Sequence, residues 1–471
     1  MSNYLAIDLG AESGRVILGA LHGERLVLEE LHRFPNQPVR LPSGLYWDAF
    51  RLHHEMVEGL AVAGRQRQLR ADGIGVDTWG VDFGLLAKDG GLIDCPRHYR
   101  DDRTNGVPER LFSIVPRAEV FGYTGIQIMP INSLYQLYAM QLAGSPALAA
   151  AGRLLFMPDL FSYWLTGVQR AEVTIASTSQ FYNAKTRSFA VELLQRLGLP
   201  TNILPELIEP GARLGALLPH LAESTGLGAA PVYATAAHDT ASAVAAVPAE
   251  GEDWCYISSG TWSLMGVELP HPVINAQSAA LNYTNEASVA GRTRLLKNIA
   301  GLWLLQECRR AWAAQGESFS YAELAEMAGQ SASLGTIVNP DDFLQPGDMP
   351  ARIVEWCRAH SLPPPRTKGE TCRVILESLA HRYLEVLEGL ESLIGRPIRA
   401  IHIVGGGSRN RLLNQLVANA TGRTVIAGPV EATAAGNVLV QAIGAGEVRD
   451  LDQARAIVRH SFEIESFQPQ G

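Results

Sequence analysis

Apolar residues recur along this chain in two periods, and the alternation between them sets out the elements. Residues 4–19 alternate around a glycine-bearing turn and predict strand, turn, strand, with a third strand over 25–34. Residues 48–69 carry apolar positions at helical spacing, and 73–86 pack apolar residues around Asp77 before a hairpin turned at Asp89, Gly90 and Gly91. Helical spacing returns at 132–143, 158–165 and 188–198. A short apolar run from Pro231 to Ala236 then meets an Ala-rich stretch suited to a helix from about Thr240. Past that point the pattern restarts. Residues 254–266 again read strand, small-residue turn, strand, and 294–306 lead a strand into a helix. In residues 373–394, Leu376, Leu379, Tyr383, Leu387, Leu390 and Ile394 make one face of a long helix. A strand over 398–404 ends in Gly405, Gly406 and Gly407, followed by a helix through Ala420, a strand over 424–427 and an Ala- and Gly-rich helix; a polar tail closes the chain. Two similar openings imply two similarly built halves.

Composition narrows the class. The chain has 471 residues, 47% hydrophobic and 18% charged, enough to bury large cores and, at about 150 residues per domain, to form two or three domains. A net charge of -9 argues against a broad nucleic-acid-binding face, which needs clustered Lys and Arg. Five scattered cysteines (Cys95, Cys255, Cys308, Cys357, Cys372) without C-x-x-C spacing indicate neither a disulfide framework nor a zinc site, and fit a reducing cytoplasm. The amino terminus has no basic segment ahead of an apolar one, and no run reaches the roughly 18 apolar residues of a membrane span.

Several positions carry candidate chemistry. Asp8 and Asp77 each stand at the end of an apolar strand, and Asp239 stands where a strand meets a helix, the place where α/β sheets bind ligands. Alone, Asp239 serves equally well as a helix cap. Gly10 and Gly14 permit close approach of a ligand to the backbone in the first turn. Ser258, Ser259, Gly260 and Thr261 offer hydroxyls and a bare backbone in the second, which suits phosphate oxygens. Residues 98–103 form a dense polar cluster with two guanidinium groups, usable for hydroxyl-rich or anionic ligands or else a solvated loop of paired charges. The chain contains neither G-x-x-x-x-G-K-[ST] nor G-x-G-x-x-G, so P-loop and Rossmann readings lose their main support.

Ala6-Ile-Asp8-Leu-Gly10, Asp77-Thr-Trp-Gly80, His238-Asp239-Thr-Ala-Ser, Ser258-Ser-Gly260-Thr261-Trp and Val404-Gly405-Gly406-Gly407 together resemble the FGGY carbohydrate kinases, in the same order and over essentially the whole chain. The resemblance implies an α/β fold of two actin-like (ribonuclease-H-like) domains around a central cleft. Residues 1–246 would be mainly sugar-binding and carry the base, 253–445 mainly ATP-binding, and 446–471 a tail. It implies Asp239 as the base that takes the proton of the attacking sugar hydroxyl, and Asp8 as a group that helps place Mg²⁺. Ala11, Glu12, Ser13, Gly14, Arg15 and Thr261 would face the phosphates of ATP; Gln306, Gly405, Gly406 and Gly407 the nucleotide; Gly80, His238, Thr240 and Asn298 the sugar. Many sugar kinases carry hydroxyl residues in the first phosphate turn, where this chain has Ala11, Glu12 and Ser13. The stretches Asp77–Phe83, Ser258–Gly266, Leu296–Gln306 and Ala427–Ala432 resemble one branch of that family, and this resemblance implies L-rhamnulose as the acceptor, phosphorylated at its 1-hydroxyl in L-rhamnose catabolism. L-fuculose or D-xylulose are alternatives, as is an actin-like ATPase with no sugar acceptor. The expected partners are the ketose and ATP, with no nucleic acid and no membrane, in a monomer or small homo-oligomer.

Overall fold

A computed structural model describes residues 1–470, which divide into two compact units. The first comprises Met1–Ala246, Glu268–Leu295 and Ala432–Ser461; the second comprises Val247–Val267, Leu296–Glu431 and Phe462 onward.

The sheet of the first unit is laid down by its opening hairpin. Ser2–Leu9 pairs antiparallel with Ser13–His22, which pairs antiparallel with Arg25–Pro35. On its other side Ser2–Leu9 runs parallel to Gly73–Thr78, which runs parallel to Pro231–Tyr233, and Arg213–Ala216 closes that edge. Ser2–Leu9 and Gly73–Thr78 are buried on both faces, as parallel strands between helices are, and this accounts for their nearly unbroken apolar runs. Leu5, Ile7, Leu9, Ile74 and Val76 join Trp47, Leu52, Met56, Leu60 and Phe161 in one core. The helix expected over 48–69 begins at Ala49, where the Asp48 carboxylate accepts from Arg51 N at 3.1 Å. It is α-helical to Ala61 and continues as a π-helical turn, Val62–Gln66.

In the second unit Trp254–Ser259 pairs antiparallel with Trp262–Leu269 and parallel with Ala400–Val404, which runs parallel to Thr424–Ala427. Thr293–Ala300 lies beside Trp262–Leu269, and Glu465–Phe467 beside Thr424–Ala427. The two sheets therefore repeat one plan: a hairpin whose first strand continues into two parallel neighbours. The long helix spans Lys368–Ile394. It starts in a capping box, with Glu370 N donating to Thr367 Oγ1 at 3.1 Å and Thr367 N donating to Glu370 Oε2 at 3.1 Å, and it stops at Gly395 with φ 70°.

Three elements differ from the periodicity. Residues 188–198 form a strand, Ser188–Phe189, and a short helix, Val191–Arg196. The last two residues of the triple glycine open a 3₁₀ turn, Gly406–Arg409, and the helix starts only at Arg411 under an Asn410 cap. The polar tail contains a helix, Leu451–Ser461, with Leu451, Ala454, Ile457 and Val458 buried, and the strand Glu465–Phe467. Its apolar stripe is real but narrow, and the intervening Asp, Gln and Arg residues mask it; Arg455 is itself buried by an ion pair with Glu268.

Candidate active site

In the first unit, strand register brings acids together. Asp8 is directly opposite Arg15 across the hairpin and directly opposite Asp77 across the parallel pair. The Arg15 guanidinium makes an ion pair with Asp8. The turn between these strands closes through Gly10 N to Ser13 O at 2.9 Å, and Asn36 braces it by donating from Nδ2 to Gly10 O at 2.8 Å and from its backbone N to Glu12 O at 3.0 Å. Glu12 is exposed at the tip and Gly14 is buried. Added as a Cβ, a side chain at position 14 would stand 2.3 Å from the Phe34 ring.

Asp77 is fully buried. Its Oδ2 accepts from Asn437 Nδ2 at 2.5 Å, while Oδ1 has no hydrogen-bond partner. Burial, then the Asp8 carboxylate, push its pKa well above the usual range. An orphaned buried oxygen beside a second carboxylate suits a hard cation. Among the described residues no cluster of three or more His, Cys, Asp or Glu side chains forms a closed metal cage. Two carboxylates of this kind suit a hard divalent cation that keeps water and substrate phosphates as its other ligands.

Asp239 opens the helix Asp239–Ala245, with His238 at the cap position. The loop ahead of it is pinned: Thr78 N donates to Ala237 O at 2.9 Å, Ala237 N to the buried Glu172 carboxylate at 3.2 Å, and His238 N to Thr174 Oγ1 at 3.2 Å. The helix packs closely because Gly436 faces it; a Cβ there would fall 1.8 Å from Ser242 O. The Asp239 Oδ1 accepts from its neighbour Thr240 at backbone N (2.5 Å) and Oγ1 (3.2 Å), and His238 Nε2 lies 3.4 Å away. Its side chain nevertheless retains 31% of its exposure. The carboxyl is thus surrounded by protein yet reachable from outside, a position compatible with proton transfer as well as with capping the helix. Burial raises its pKa, the His238 ring opposes this and Asp8 adds to it.

Gly80 is packed against Thr178, whose atoms would stand 3.2 Å from a Cβ. Val81 takes φ 67°, a costly conformation for a β-branched residue, inside a three-residue turn closed by Asp82 N to Gly80 O at 2.9 Å. Asp82 holds this turn. Its carboxylate accepts from Trp47 Nε1 (2.6 Å), Trp79 Nε1 (3.0 Å), Tyr99 N (3.1 Å) and Gln136 Nε2 (2.8 Å), and burial pushes its pKa to about 6. The polar cluster at 98–103 is largely self-satisfied. Arg103 donates to Gln136 at 2.6 Å, Arg97 lies 3.6 Å from Asp101, and His98 stacks on Trp47.

In the second unit the corresponding hairpin turn closes through Gly260 N to Trp262 O at 2.9 Å. The helix Trp303–Ala314 begins against it: Leu302 N and Trp303 N donate to Gly260 O (3.0 Å) and Thr261 O (3.1 Å), and Gln306 Nε2 donates to Thr261 Oγ1 at 3.1 Å. Gly405, at φ 84°, and Gly407 lie against Ser259, and a Cβ on Gly407 would stand 2.0 Å from Ser259 Oγ. Gly406 has open space where a side chain would be. Gln306 therefore meets Thr261 on one side of the hairpin turn, and Gly405 and Gly407 meet Ser259 at its start. Asn298 also belongs to this unit, on the strand Thr293–Ala300, apart in the division from Gly80, His238 and Thr240 of the first. Asp77 was a candidate from the sequence to which the resemblance gave no role, and Glu172, Glu286 and Arg294 were not among the candidates. Asp77 had a signal, an acid inside an apolar strand; the others are made important only by folding.

This arrangement of acids at the strand ends of one unit and glycines at those of the other is that of a sugar kinase. The chain belongs to the FGGY family of carbohydrate kinases: residues 3–246 match the family's N-terminal domain and 255–445 its C-terminal domain. It is similar, at 48% identity over 99% of its length and 96% of the relative's, to a rhamnulokinase of Bacteroides thetaiotaomicron. A rhamnulokinase of Enterococcus faecalis is 41% identical over 99% of this chain and 94% of the relative. The fold matches a ligand-bound xylulose kinase from Lactobacillus acidophilus with a TM-score of 0.81 at 15% identity, covering 100% of this chain and 94% of that one. The α/β fold is thus that of the actin-like sugar kinases.

Proposed function

We propose that the protein transfers the γ-phosphoryl group of ATP to the 1-hydroxyl of L-rhamnulose, giving L-rhamnulose 1-phosphate and ADP. The observation that carries the choice of acceptor is the end-to-end likeness to relatives named rhamnulokinase. In this reading residues 1–246 hold the ketose through Gly80, His238 and Thr240, with Asn298 a further contact. Residues 253–445 hold ATP through Thr261, Gln306, Gly405 and Gly406, and the turn from Ala11 to Arg15 meets its phosphates. Asp239 takes the proton as the hydroxyl oxygen bonds to phosphorus; the bond to the β,γ-bridging oxygen breaks and ADP leaves with its electron pair. Asp8 and Asp77 would hold Mg²⁺, which neutralises charge on the phosphates. Asp77 lies buried beside Asp8 with one oxygen unpartnered, so a cation satisfies what the fold leaves open. The five free cysteines fit a cytoplasmic setting.

A panel of ketoses with coupled ADP detection tests the assignment. L-Rhamnulose should give the highest kcat/KM with MgATP, and ATP turnover without a ketose should be small. A higher kcat/KM for L-fuculose or D-xylulose would replace the acceptor and leave the kinase class intact.

A further inference from the structure

His238 is half of the sequence motif but only one corner of a buried cluster in the fold. Arg294, on the strand Thr293–Ala300, is fully buried, and Glu286, on Thr284–Ala287, is nearly so. Arg294 Nε donates to Ala287 O at 3.1 Å, and its Nη2 stands 3.2 Å from Glu286 Oε2 and 3.2 Å from His238 Nδ1. Glu286 Oε2 is itself 3.3 Å from His238 Nδ1, and burial is outweighed by the imidazole together with the Arg294 guanidinium, which hold the Glu286 carboxyl below its usual range. The backbone of His238 is fixed independently by Thr174. On the other side of the ring, Nε2 lies 3.4 Å from Asp239 Oδ1. The charged groups facing the imidazole are therefore Glu286, Arg294 and Asp239.

An arginine has five donors and no acceptor. A nitrogen that takes a hydrogen bond from Arg294 must offer a lone pair, so the ring's single hydrogen goes to the opposite nitrogen. Glu286 supplies the countercharge that lets a guanidinium stand buried at this spot.

We propose that Arg294, anchored by Glu286, is a positioning residue that fixes His238 as its Nε2–H tautomer, so that the imidazole presents a hydrogen-bond donor to Asp239 Oδ1. Oδ1 is then fully engaged by Thr240 and His238. The remaining oxygen, Oδ2, is left to accept the proton of the sugar hydroxyl. A ring of the other tautomer would set its Nε2 lone pair against Asp239 Oδ1 with no donor between them and turn the base away, whereas a lone pair on Nδ1 is met by the Arg294 guanidinium at 3.2 Å, whose charge offsets that of Glu286 Oε2 at 3.3 Å. The inference rests on Asp239 being the base, but its first test does not.

Imidazole ¹⁵N shifts with two-bond ¹⁵N–¹H correlation report the tautomer directly. In wild-type enzyme at about pH 8, the His238 signal, assigned by its loss in His238→Asn, should show Nδ1 unprotonated and Nε2 protonated. An Nδ1–H signal overturns the proposal whatever Asp239 does. The double variant Arg294→Met/Glu286→Gln removes both charges together, so neither is left buried and unpaired. Its His238 should lose the tautomer preference, and kcat should fall at least about tenfold, within the cost of a misplaced catalytic group, with the KM for ATP unchanged. Glu286→Gln alone, keeping Arg294, should retain the Nε2–H signal. A folded double variant with wild-type kcat would remove Arg294 from positioning. Activity surviving in Asp239→Asn would instead remove the base and leave the tautomer result standing.

Discussion

The two sheets follow one strand plan yet put opposite chemistry at the same place. In the first unit the ends of adjacent parallel strands present Asp8 opposite Asp77; in the second the matching pair is Ser258 opposite Val404. The first hairpin turn carries Glu12 and Arg15, the second Gly260 and Thr261. Buried acids with raised pKa values follow the same division: Asp77, Asp82, Asp159, Glu172 and Asp239 all belong to the first unit. Among the described residues of the second, the groups raised by burial are thiols and a tyrosine, Cys255, Cys308, Cys357, Cys372 and Tyr383, which are neutral at physiological pH in any case. A surface that takes polyphosphate avoids fixed carboxylates, whereas one that moves a proton and holds a cation needs them. On the function proposed above, one scaffold would thus serve two tasks by changing side chains at strand ends.

The largest effect that tests this contrast is at Asp239. Asp239→Asn keeps the size and the capping ability of the side chain but removes its basicity, so kcat should fall by 10²- to 10⁴-fold, the range of general-base catalysis, with a far smaller change in sugar KM. A folded variant keeping more than about a tenth of wild-type kcat would reduce Asp239 to a helix cap.

A second effect lies in stability. Burial pushes the Glu172 pKa to about 7 in the folded protein, against about 4.3 in an unfolded chain. Between those values the folded state binds more protons than the unfolded one, so this group's contribution falls as pH rises from about 4.5 to 7. Relative to Glu172→Gln, which does not titrate, wild type should therefore lose up to roughly 3 kcal/mol across that window. Thermal unfolding of both proteins at several pH values measures it. A difference in Tm that is constant with pH would show that the backbone donors around Glu172 hold it ionised.

A third effect belongs to the second unit. A Cβ on Gly407 would stand 2.0 Å from Ser259 Oγ, and overpacking of this kind costs about 1–3 kcal/mol. Gly407→Ala should raise the KM for ATP several-fold and leave the KM for ketose unchanged, and Ser259→Gly, which removes both Oγ and the Cβ that would stand 2.6 Å away, should relieve it in part. Equal rises in both constants would place Gly407 outside the nucleotide surface.

Much of this was legible before folding. The strand-turn-strand openings are local patterns, and the structure forms both; the capping residues Thr367 and Glu370 and the stop at Gly395 mark the ends of the long helix. What the sequence hid was pairing across distance. Asp77 meets Asn437 across 360 positions, and nothing near either residue announces the other. Glu286 and Arg294 read as ordinary charges on strands until the fold buries them against His238. The helix Leu451–Ser461 looked like tail because its buried stripe includes an arginine whose partner, Glu268, lies 187 positions away.

The smallest expected effect concerns the acid in the first turn. Glu12 is exposed at the tip, and its backbone oxygen, not its carboxylate, accepts from Asn36 N. A carboxylate in water near phosphate oxygens acts through a high dielectric, where such interactions are worth about 0–1 kcal/mol. Replacing it with glutamine should therefore lower the KM for ATP by no more than about fivefold, a change that high salt should largely erase because screening at 1 M acts within about 3 Å. The opposite role has its own signature. If Glu12 orders the water shell of the cation, Glu12→Gln would shift the Mg²⁺ dependence to higher concentration and leave the KM for ATP at saturating Mg²⁺ unchanged. The exposed position favours simple repulsion. Titrating Mg²⁺ at two ionic strengths separates the two, and a salt-independent loss of Mg²⁺ affinity would make Glu12 part of the cation site, extending the acid cluster of the first unit into its phosphate turn.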